Sequence, residues 1–176
     1  MKSIVIGVGN TLFKDDGIGV YTACFLKNNY AFSPYLEIVD GGTMGLNLIG
    51  YLQEYDQVII LDTLSIDDEP GKLYRIPAEE FHGLGTERNT AHEVEIIQML
   101  EAGALYGLTA NVTILGIVPE DITSVSIGLS SALEKQFHRY LQLVLDEITS
   151  LGIEAIRTEK RSLQSVIAEL MGSAHR

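Results

Sequence analysis

The sequence predicts a three-layer αβα sandwich, in which a mostly parallel central sheet carries helices on both faces. Three short runs of aliphatic and β-branched residues, at 4–8, 36–39 and 58–61, alternate with segments of helical character. Such continuous apolar runs are typical of strands that are buried on both faces. The order βαβαβ in turn predicts parallel strands joined by right-handed crossovers, with the first run as the central strand.

The first half of the chain fits this order element by element. An Asp-Asp-Gly sequence at residues 15–17 opens a segment that we interpret as an amphipathic helix ending near residue 28. Acidic residues in a first turn favour the positive end of the helix dipole. A second helix is predicted at residues 45–55, and Asp40 and Asp62 close the second and third strands.

The second half of the chain is less regular. Residues 72–76 predict an edge strand, and residues 77–90, which lack any hydrophobic period, predict a long loop. A helix is expected at residues 91–102, followed by a buried strand at residues 111–118. The strongest helical signal covers residues 130–151, where large apolar residues recur at spacings of three and four.

One folded domain is expected over residues 1–152. The whole chain has 176 residues, and single domains usually contain about 50–200. Residues 153–176 are more polar, so we expect a C-terminal extension that holds a short helix near residues 162–171 and frays at its end.

The charge balance excludes several classes of partner. Twelve Lys and Arg against 24 Asp and Glu give a net charge of −12, which repels nucleic-acid phosphates and anionic lipids. We therefore expect neither nucleic acid nor a membrane as partner. The apolar runs are far shorter than the roughly 20 residues of a membrane span, and no signal-peptide pattern is present, so the expected location is the cytoplasm. The only cysteine, Cys24, lies in an apolar run and is interpreted as a packing residue.

Four polar residues lie where parallel sheets bind ligands, just beyond the carboxyl ends of strands. They are Asp16, Asp40, Asp62 and His92. Carboxylate and imidazole groups together suit zinc or nickel, whereas oxygen ligands alone would suit magnesium or calcium. Each residue alone has an ordinary interpretation as a helix cap or turn residue. Three aspartates at the ends of adjacent strands favour a functional site.

Several familiar catalytic patterns are incomplete. Gly7 and Gly9 match the first two glycines of a dinucleotide-binding fingerprint, but Leu12 stands at the third position. Asp40 resembles the acid that binds the ribose, so a small nucleotide-binding enzyme remains an alternative. A zincin helix is not supported, because Ile96 occupies the place of its second histidine.

Other nucleophiles and histidines carry less weight. Ser130 and Ser131 lack the flanking glycines of a nucleophile elbow. His138 lies on a helix that we assign to packing and is expected at the surface. His82 lies in the predicted long loop, where a contact with substrate has no other support.

Two adjoining segments, GVGNTL at residues 7–12 and DDGIG at residues 15–19, resemble the opening signature of the nickel-iron hydrogenase maturation endopeptidases. The likeness continues in order through DGGT at 40–43, Asp62, His92, GIVP at 116–119 and GLS at 128–130. It covers about the first 150 residues, and such ordered agreement is much more specific than any one motif.

The resemblance implies a protease that removes a C-terminal peptide from the large-subunit precursor of a nickel-iron hydrogenase after nickel insertion. It also implies a metal-binding set of Asp16, Asp62 and His92, with Asp16 standing where some relatives have Glu. The nickel would be supplied by the substrate, and no organic cofactor is expected. We expect the metal to polarise the scissile carbonyl or activate a water, with Asp40 as the candidate to position or deprotonate that water.

A third interpretation uses the same three residues differently. A nickel carrier or chaperone would bind free nickel tightly through Asp16, Asp62 and His92 and would leave the mass of a precursor unchanged. The nucleotide-binding enzyme is the other alternative to the protease.

Overall fold

The computed structural model describes residues 1–81 and 91–173, with the backbone alone at residues 91, 92 and 173. The strands of this part are β1 Ser3–Val8, β2 Tyr30–Ser33, β3 Glu37–Gly42, β4 Gln57–Thr63, β5 Leu73–Pro77, β6 Asn111–Ile117 and β7 Glu154–Arg157. Five of them form the central sheet, in the order β3-β1-β4-β6-β5. All neighbours in it are parallel except β5, which is antiparallel to β6. The predicted mostly parallel sheet is confirmed, but its central strand is β4, and β1, which was predicted to be central, lies next to it.

Helices cover both faces of the sheet. They are α1 Ile18–Asn29, α2 Ile49–Glu54, α3 Ala78–Phe81, α4 Ala91–Leu105, α5 Ser131–Ser150 and α6 Leu163–Ser173. One hydrophobic core joins the sheet to α1, α5 and α6, and a second joins its other face to α2, α3 and α4. The predicted three-layer architecture is therefore confirmed. Within the described residues, no helix has the length and apolar character needed to cross a bilayer.

The alternation of side chains along the strands separates the two cores. In β4, Ile59 and Leu61 belong to the core beneath α1 and α5, whereas Val58 and Ile60 belong to the core beneath α4. Each buried aliphatic side chain of this kind stabilises the fold by about 1.5–3 kcal/mol. A one-residue shift of β4 would exchange these two sets between the cores.

The chain leaves β1 and β4 in opposite directions along the sheet. From β1 it passes through α1 to β3 on one side, and from β4 it proceeds through α4 to β6 on the other. Because α1 and α4 lie on opposite faces, a crevice opens between the carboxyl ends of β1 and β4. This is the point at which open parallel sheets usually bind ligands.

The prediction of an amphipathic helix opening at residue 15 is wrong in two respects. Residues Lys14–Gly17 form a 3-10 turn, and α1 begins only at Ile18. Most of its side chains are buried, because α6 covers the side that faces away from the sheet.

The predicted long loop at residues 77–90 contains an additional element. Residues Ala78–Phe81 form the short helix α3, which the buried side chain of Phe81 attaches to the core beneath α4. The rest of this loop, including His82, lies outside the described residues.

Residues beyond 152 pack against the main body of the fold. β7 pairs with β2 in a small antiparallel sheet that the sequence did not predict. The predicted short helix corresponds to α6, whose Val166 and Ile167 are buried beside α1. These contacts give part of the expected C-terminal extension a place in the hydrophobic core, while residues 174–176 lie outside the described residues.

Candidate functional site

Asp16 lies in the turn that follows β1. Its side chain is 5% exposed, and its Oδ2 accepts a hydrogen bond from the backbone N–H of Asn10 at 2.8 Å. The turn is tight, because a Cβ atom on Gly9 would come within 1.8 Å of the carbonyl oxygen of Asp16. Gly9 also has φ +129°, a conformation that favours glycine. The glycine therefore allows the chain to bring this carboxylate back to the end of β1.

Asp62 lies near the end of β4 and is 1% exposed. Its Oδ1 accepts a hydrogen bond from the backbone N–H of Thr63 at 2.8 Å. The 3-10 turn that carries Asp16 contacts β4, and a Cβ atom on Gly19 would lie 2.1 Å from the carbonyl oxygen of Leu61. These contacts hold the turn that carries Asp16 against β4, the strand that carries Asp62.

A tyrosine supports this edge of the sheet from the side of α5. The hydroxyl of Tyr140 donates a hydrogen bond to the carbonyl oxygen of Leu115, the residue paired with Leu61, at 2.7 Å. Burial, with a further contribution from the negative charge of Asp62, raises the pKa of Tyr140 well above its ordinary value. Tyr140 therefore stays protonated and acts as a structural hydrogen-bond donor.

His92 lies in the first turn of α4, and its side chain is outside the described part of the structure. The next residue, Glu93, is buried and accepts a hydrogen bond through Oε1 from the backbone N–H of Ser65 at 2.7 Å. Since Ser65 follows β4 closely, Glu93 attaches the start of α4 to the segment that leaves Asp62. Glu93 was not among the site residues predicted from the sequence, although its position beside His92 was a signal.

The described side chains contain no group of three His, Cys, Asp or Glu that could hold a metal ion. Asp16 and Asp62 supply two carboxylates at one sheet edge, and His92 begins the helix at that edge. Two like charges at one place favour a divalent cation, because the cation offsets their repulsion. The donor types therefore suit nickel or zinc, provided that the imidazole completes the set.

Asp40 does not share this arrangement. Asp40 in β3 pairs with Gly7 of β1, and Gly7 pairs on its other side with Leu61 of β4. Asp40 and Leu61 therefore share one face of the sheet, the face covered by α1. Asp62, one residue further along β4, points to the opposite face. The Asp40 side chain is exposed, and its Oδ1 accepts a hydrogen bond from the N–H of Gly42 at 2.9 Å, as in an ordinary turn. The catalytic role of Asp40 stays a prediction, and this placement argues against it.

Asp15, which was not predicted from the sequence as a site residue, connects distant loops. Its Oδ2 accepts hydrogen bonds from the N–H groups of Glu120 and Asp121, and its Oδ1 accepts one from the N–H of Ser130. Asp15 is fully buried. These bonds hold the loop after β6 against the loop after β1, so Asp15 has a structural role beside Asp16.

The remaining candidates have structural explanations. Ser130 caps α5, because its Oγ accepts a hydrogen bond from the N–H of Leu133, and His138 is exposed as expected.

Burial raises the pKa of the Cys24 thiol to about 11, and the charge of Asp40 adds to the effect. A thiol with a raised pKa is a poor nucleophile at neutral pH, which agrees with a packing role. The space above Gly9 is filled by the Asp16 backbone, where a dinucleotide site needs room for a pyrophosphate.

Comparison with known proteins gives a consistent family. A family model described as hydrogenase maturation protease matches residues 20–147. The hydrogenase 2 maturation protease of Escherichia coli strain K12 is 34% identical over 161 residues, covering 90% of this chain and 98% of that protein. The hydrogenase expression/formation protein HoxM of Cupriavidus necator is 32% identical, covering 88% of this chain and 73% of its own length.

Solved structures extend the likeness to the fold. The hydrogenase maturating endopeptidase HybD from E. coli superimposes with a TM-score of 0.82 at 33% identity, covering 89% of this chain and 98% of that chain. The hydrogenase 2 maturation peptidase of a Thaumarchaeota archaeon gives a TM-score of 0.63 at 29% identity, covering 85% and 99%.

Proposed function

Because the chain belongs to the hydrogenase maturation protease family, we propose that it removes the C-terminal extension of a nickel-iron hydrogenase large-subunit precursor after nickel insertion. It is an endopeptidase, as its relatives over nearly the whole chain are. The observation that supports the assignment to the site is the placement of two buried carboxylates, Asp16 and Asp62, after or near the carboxyl ends of the neighbouring strands β1 and β4, in a sheet that matches the endopeptidase fold.

Nickel is part of the substrate in this reaction. Asp16, Asp62 and His92 bind the nickel ion that the precursor already holds, and no organic cofactor takes part. A ligand shifts an equilibrium only by its differential affinity for the two states. Contact with the ion therefore gives the enzyme a higher affinity for the loaded precursor than for the empty one, and cleavage follows only when loading is complete.

Residues of the chain hold the reacting groups in position. The bound nickel supplies a Lewis acid beside the scissile carbonyl, and hydrolysis adds one water across the peptide C–N bond, giving a new carboxyl and a new amino terminus. Backbone N–H groups of Asn10 and Thr63 fix the directions of the Asp16 and Asp62 carboxylates. Fixed ligands hold the metal and carbonyl in one geometry, which lowers the entropic part of the barrier.

The proposed setting is the cytoplasm, with a protein partner alone. A net charge of −12 disfavours association with nucleic acid or anionic lipid, and a single cysteine suits a reducing compartment.

Intact-mass analysis tests this function. A cognate large-subunit precursor is incubated with the chain, once loaded with nickel and once nickel-free. We expect loss of a C-terminal peptide from the loaded precursor alone. Cleavage of both forms would contradict recognition of nickel. Tight binding of free nickel without any change in precursor mass would support the carrier instead.

A further inference from the structure

Two loops stand above the carboxyl edge of the sheet, directly beside Asp16. Residues 12–14 and 125–127 run parallel and form a short ladder around a bridge between Phe13 and Ser126. The N–H of Lys14 donates to the carbonyl oxygen of Ser126 at 2.8 Å, and the N–H of Ser126 donates to the carbonyl oxygen of Leu12 at 3.0 Å. The N–H of Asp16 donates in turn to the carbonyl oxygen of Phe13 at 3.0 Å, which joins the ladder to the candidate site.

Further hydrogen bonds and an ion pair hold the ladder in place. Besides the bonds to Asp15, the hydroxyl of Tyr21 donates to the carbonyl oxygen of Thr11 at 2.9 Å and accepts from the N–H of Gly128 at 3.2 Å. Lys14 and Asp121 form an ion pair at 3.2 Å. A surface held by so many bonds loses little conformational entropy when a partner binds.

The ladder carries exposed aliphatic side chains. Leu12, Val125 and Ile127 flank the bridged pair of Phe13 and Ser126 in the two segments. Their exposed fractions are 50%, 78% and 52%. We call these three side chains the ladder face. A rigid aliphatic surface in water, beside a site for a protein substrate, is typical of a docking surface.

We propose that the ladder face binds an aliphatic segment of the hydrogenase large-subunit precursor and guides its scissile bond to Asp16 and Asp62. The inference rests on the proposed function and adds the surface that recognises the peptide. Asp16 is almost completely buried, and among the described residues the ladder forms part of the surface that borders it, because the N–H of Asp16 donates to Phe13. Recognition there is apolar, because the cation of the ladder, Lys14, is already paired with Asp121.

A matched control lies at the opposite edge of the sheet. Leu105 and Tyr106 are 88% and 76% exposed and precede the amino end of β6, far from Asp16. The pair Leu105→Asp and Tyr106→Asp adds the same charge to apolar surface as the pair Val125→Asp and Ile127→Asp.

The test compares the two double variants with the parent chain on the nickel-loaded precursor. Peptide release is followed by intact mass to give KM and kcat, and precursor binding is measured separately by biolayer interferometry. We expect the ladder variant to raise KM and Kd by about tenfold or more, with kcat within about twofold of the parent. The control variant should stay within about twofold in every parameter, and Val125→Leu with Ile127→Leu should restore binding. Thermal melting and the milder pair Val125→Ser with Ile127→Ser exclude an effect of misfolding.

Two results would overturn this proposal, and a third would overturn the proposed function alone. Equal KM and Kd for the ladder and control variants would show that the precursor does not contact this face. A parent dimer that the ladder variant converts to monomer in analytical ultracentrifugation would assign the face to a second copy of the chain. A parent that binds the loaded precursor through the ladder but releases no peptide would refute the proposed function and leave the docking surface standing.

Discussion

The carboxylate of Asp15 accepts a hydrogen bond from the backbone N–H of Ser130, 115 positions further along the chain, at 2.6 Å. Its second oxygen accepts two more, from Glu120 and Asp121, at 3.0 and 2.9 Å. The neighbouring Asp16 faces the crevice between β1 and β4 instead. Two adjacent acids therefore have separate roles, one in holding the loops and one in the candidate site.

Replacement of Asp15 by Ala should destabilise the fold. It leaves three backbone N–H groups without their acceptor, one buried at Ser130 and two partly buried at Glu120 and Asp121, and a buried unsatisfied group costs about 1–3 kcal/mol. We expect a loss of about 3 kcal/mol or more in the free energy of unfolding, measured by urea denaturation. Asp16→Asn, which retains an oxygen acceptor for Asn10, should lose less than half as much. Equal stabilities of Asp15→Ala and the parent would refute the structural role.

Glu93 should act as a positioning residue for α4. Glu93→Ala removes the acceptor for the N–H of Ser65 and loosens the start of the helix that carries His92. We expect kcat/KM for precursor cleavage to fall by about 10- to 100-fold, the usual effect of losing a group that orients a metal ligand. Glu93→Gln, whose amide oxygen still accepts the bond, should recover most of the activity.

The control for Glu93 is Glu134→Ala. Glu134 also lies in the first turn of a helix, but it is exposed and belongs to the opposite layer. A similar loss for Glu93→Ala and Glu134→Ala, or an inactive Glu93→Gln, would remove the positioning role.

Asp40→Asn tests the alternative general base. The asparagine oxygen keeps the bond from the N–H of Gly42 but carries no charge and accepts no proton. Because Asp40 and Asp62 face opposite sides of the sheet, two strands apart, we expect this variant to cleave loaded precursor within about threefold of the parent rate. A complete stop of cleavage with unchanged precursor binding would restore Asp40 as the residue that activates water.

Cys24 should react slowly with alkylating agents in the folded chain. Its pKa is raised from about 9 to about 11, so at pH 8 the reactive thiolate is about 100-fold scarcer than in an unshifted thiol. Iodoacetamide labelling followed by mass spectrometry should show this ratio between folded and urea-unfolded chain. The rate should rise with pH up to about 11, and Asp40→Asn should accelerate it by removing a negative charge. Equal rates in both states would contradict the raised pKa.

Much of the sheet was accessible from the sequence, because strands buried on both faces leave uninterrupted apolar runs. β1, β4 and β6 all have this signature, and their order alone implied a parallel arrangement with the candidate aspartates at its carboxyl edge. β2 and β7 have four residues each and a half-exposed pattern, so they show too little periodicity to be recognised.

The roles of the individual aspartates could be assigned only from the three-dimensional structure. Asp15 and Asp16 are chemically identical neighbours, and only the position of the loop after β6 shows which of them is an anchor. The sequence placed Asp40 and Asp62 alike at strand ends. Their pairing through β1 places Asp40 on the face opposite to Asp62, a difference that depends on register.

The central claim is that Asp16 and Asp62 act together on a nickel-loaded precursor. Its most direct test is intact-mass analysis of that precursor after incubation with the parent, Asp16→Asn, Asp62→Asn and the control Asp56→Asn. Asp56 is an exposed acid at the opposite edge of the sheet, where it accepts a bond from Lys2. We predict full release of the C-terminal peptide by the parent and Asp56→Asn, and none by the two site variants. Release at the parent rate by folded Asp16→Asn or Asp62→Asn would contradict the account.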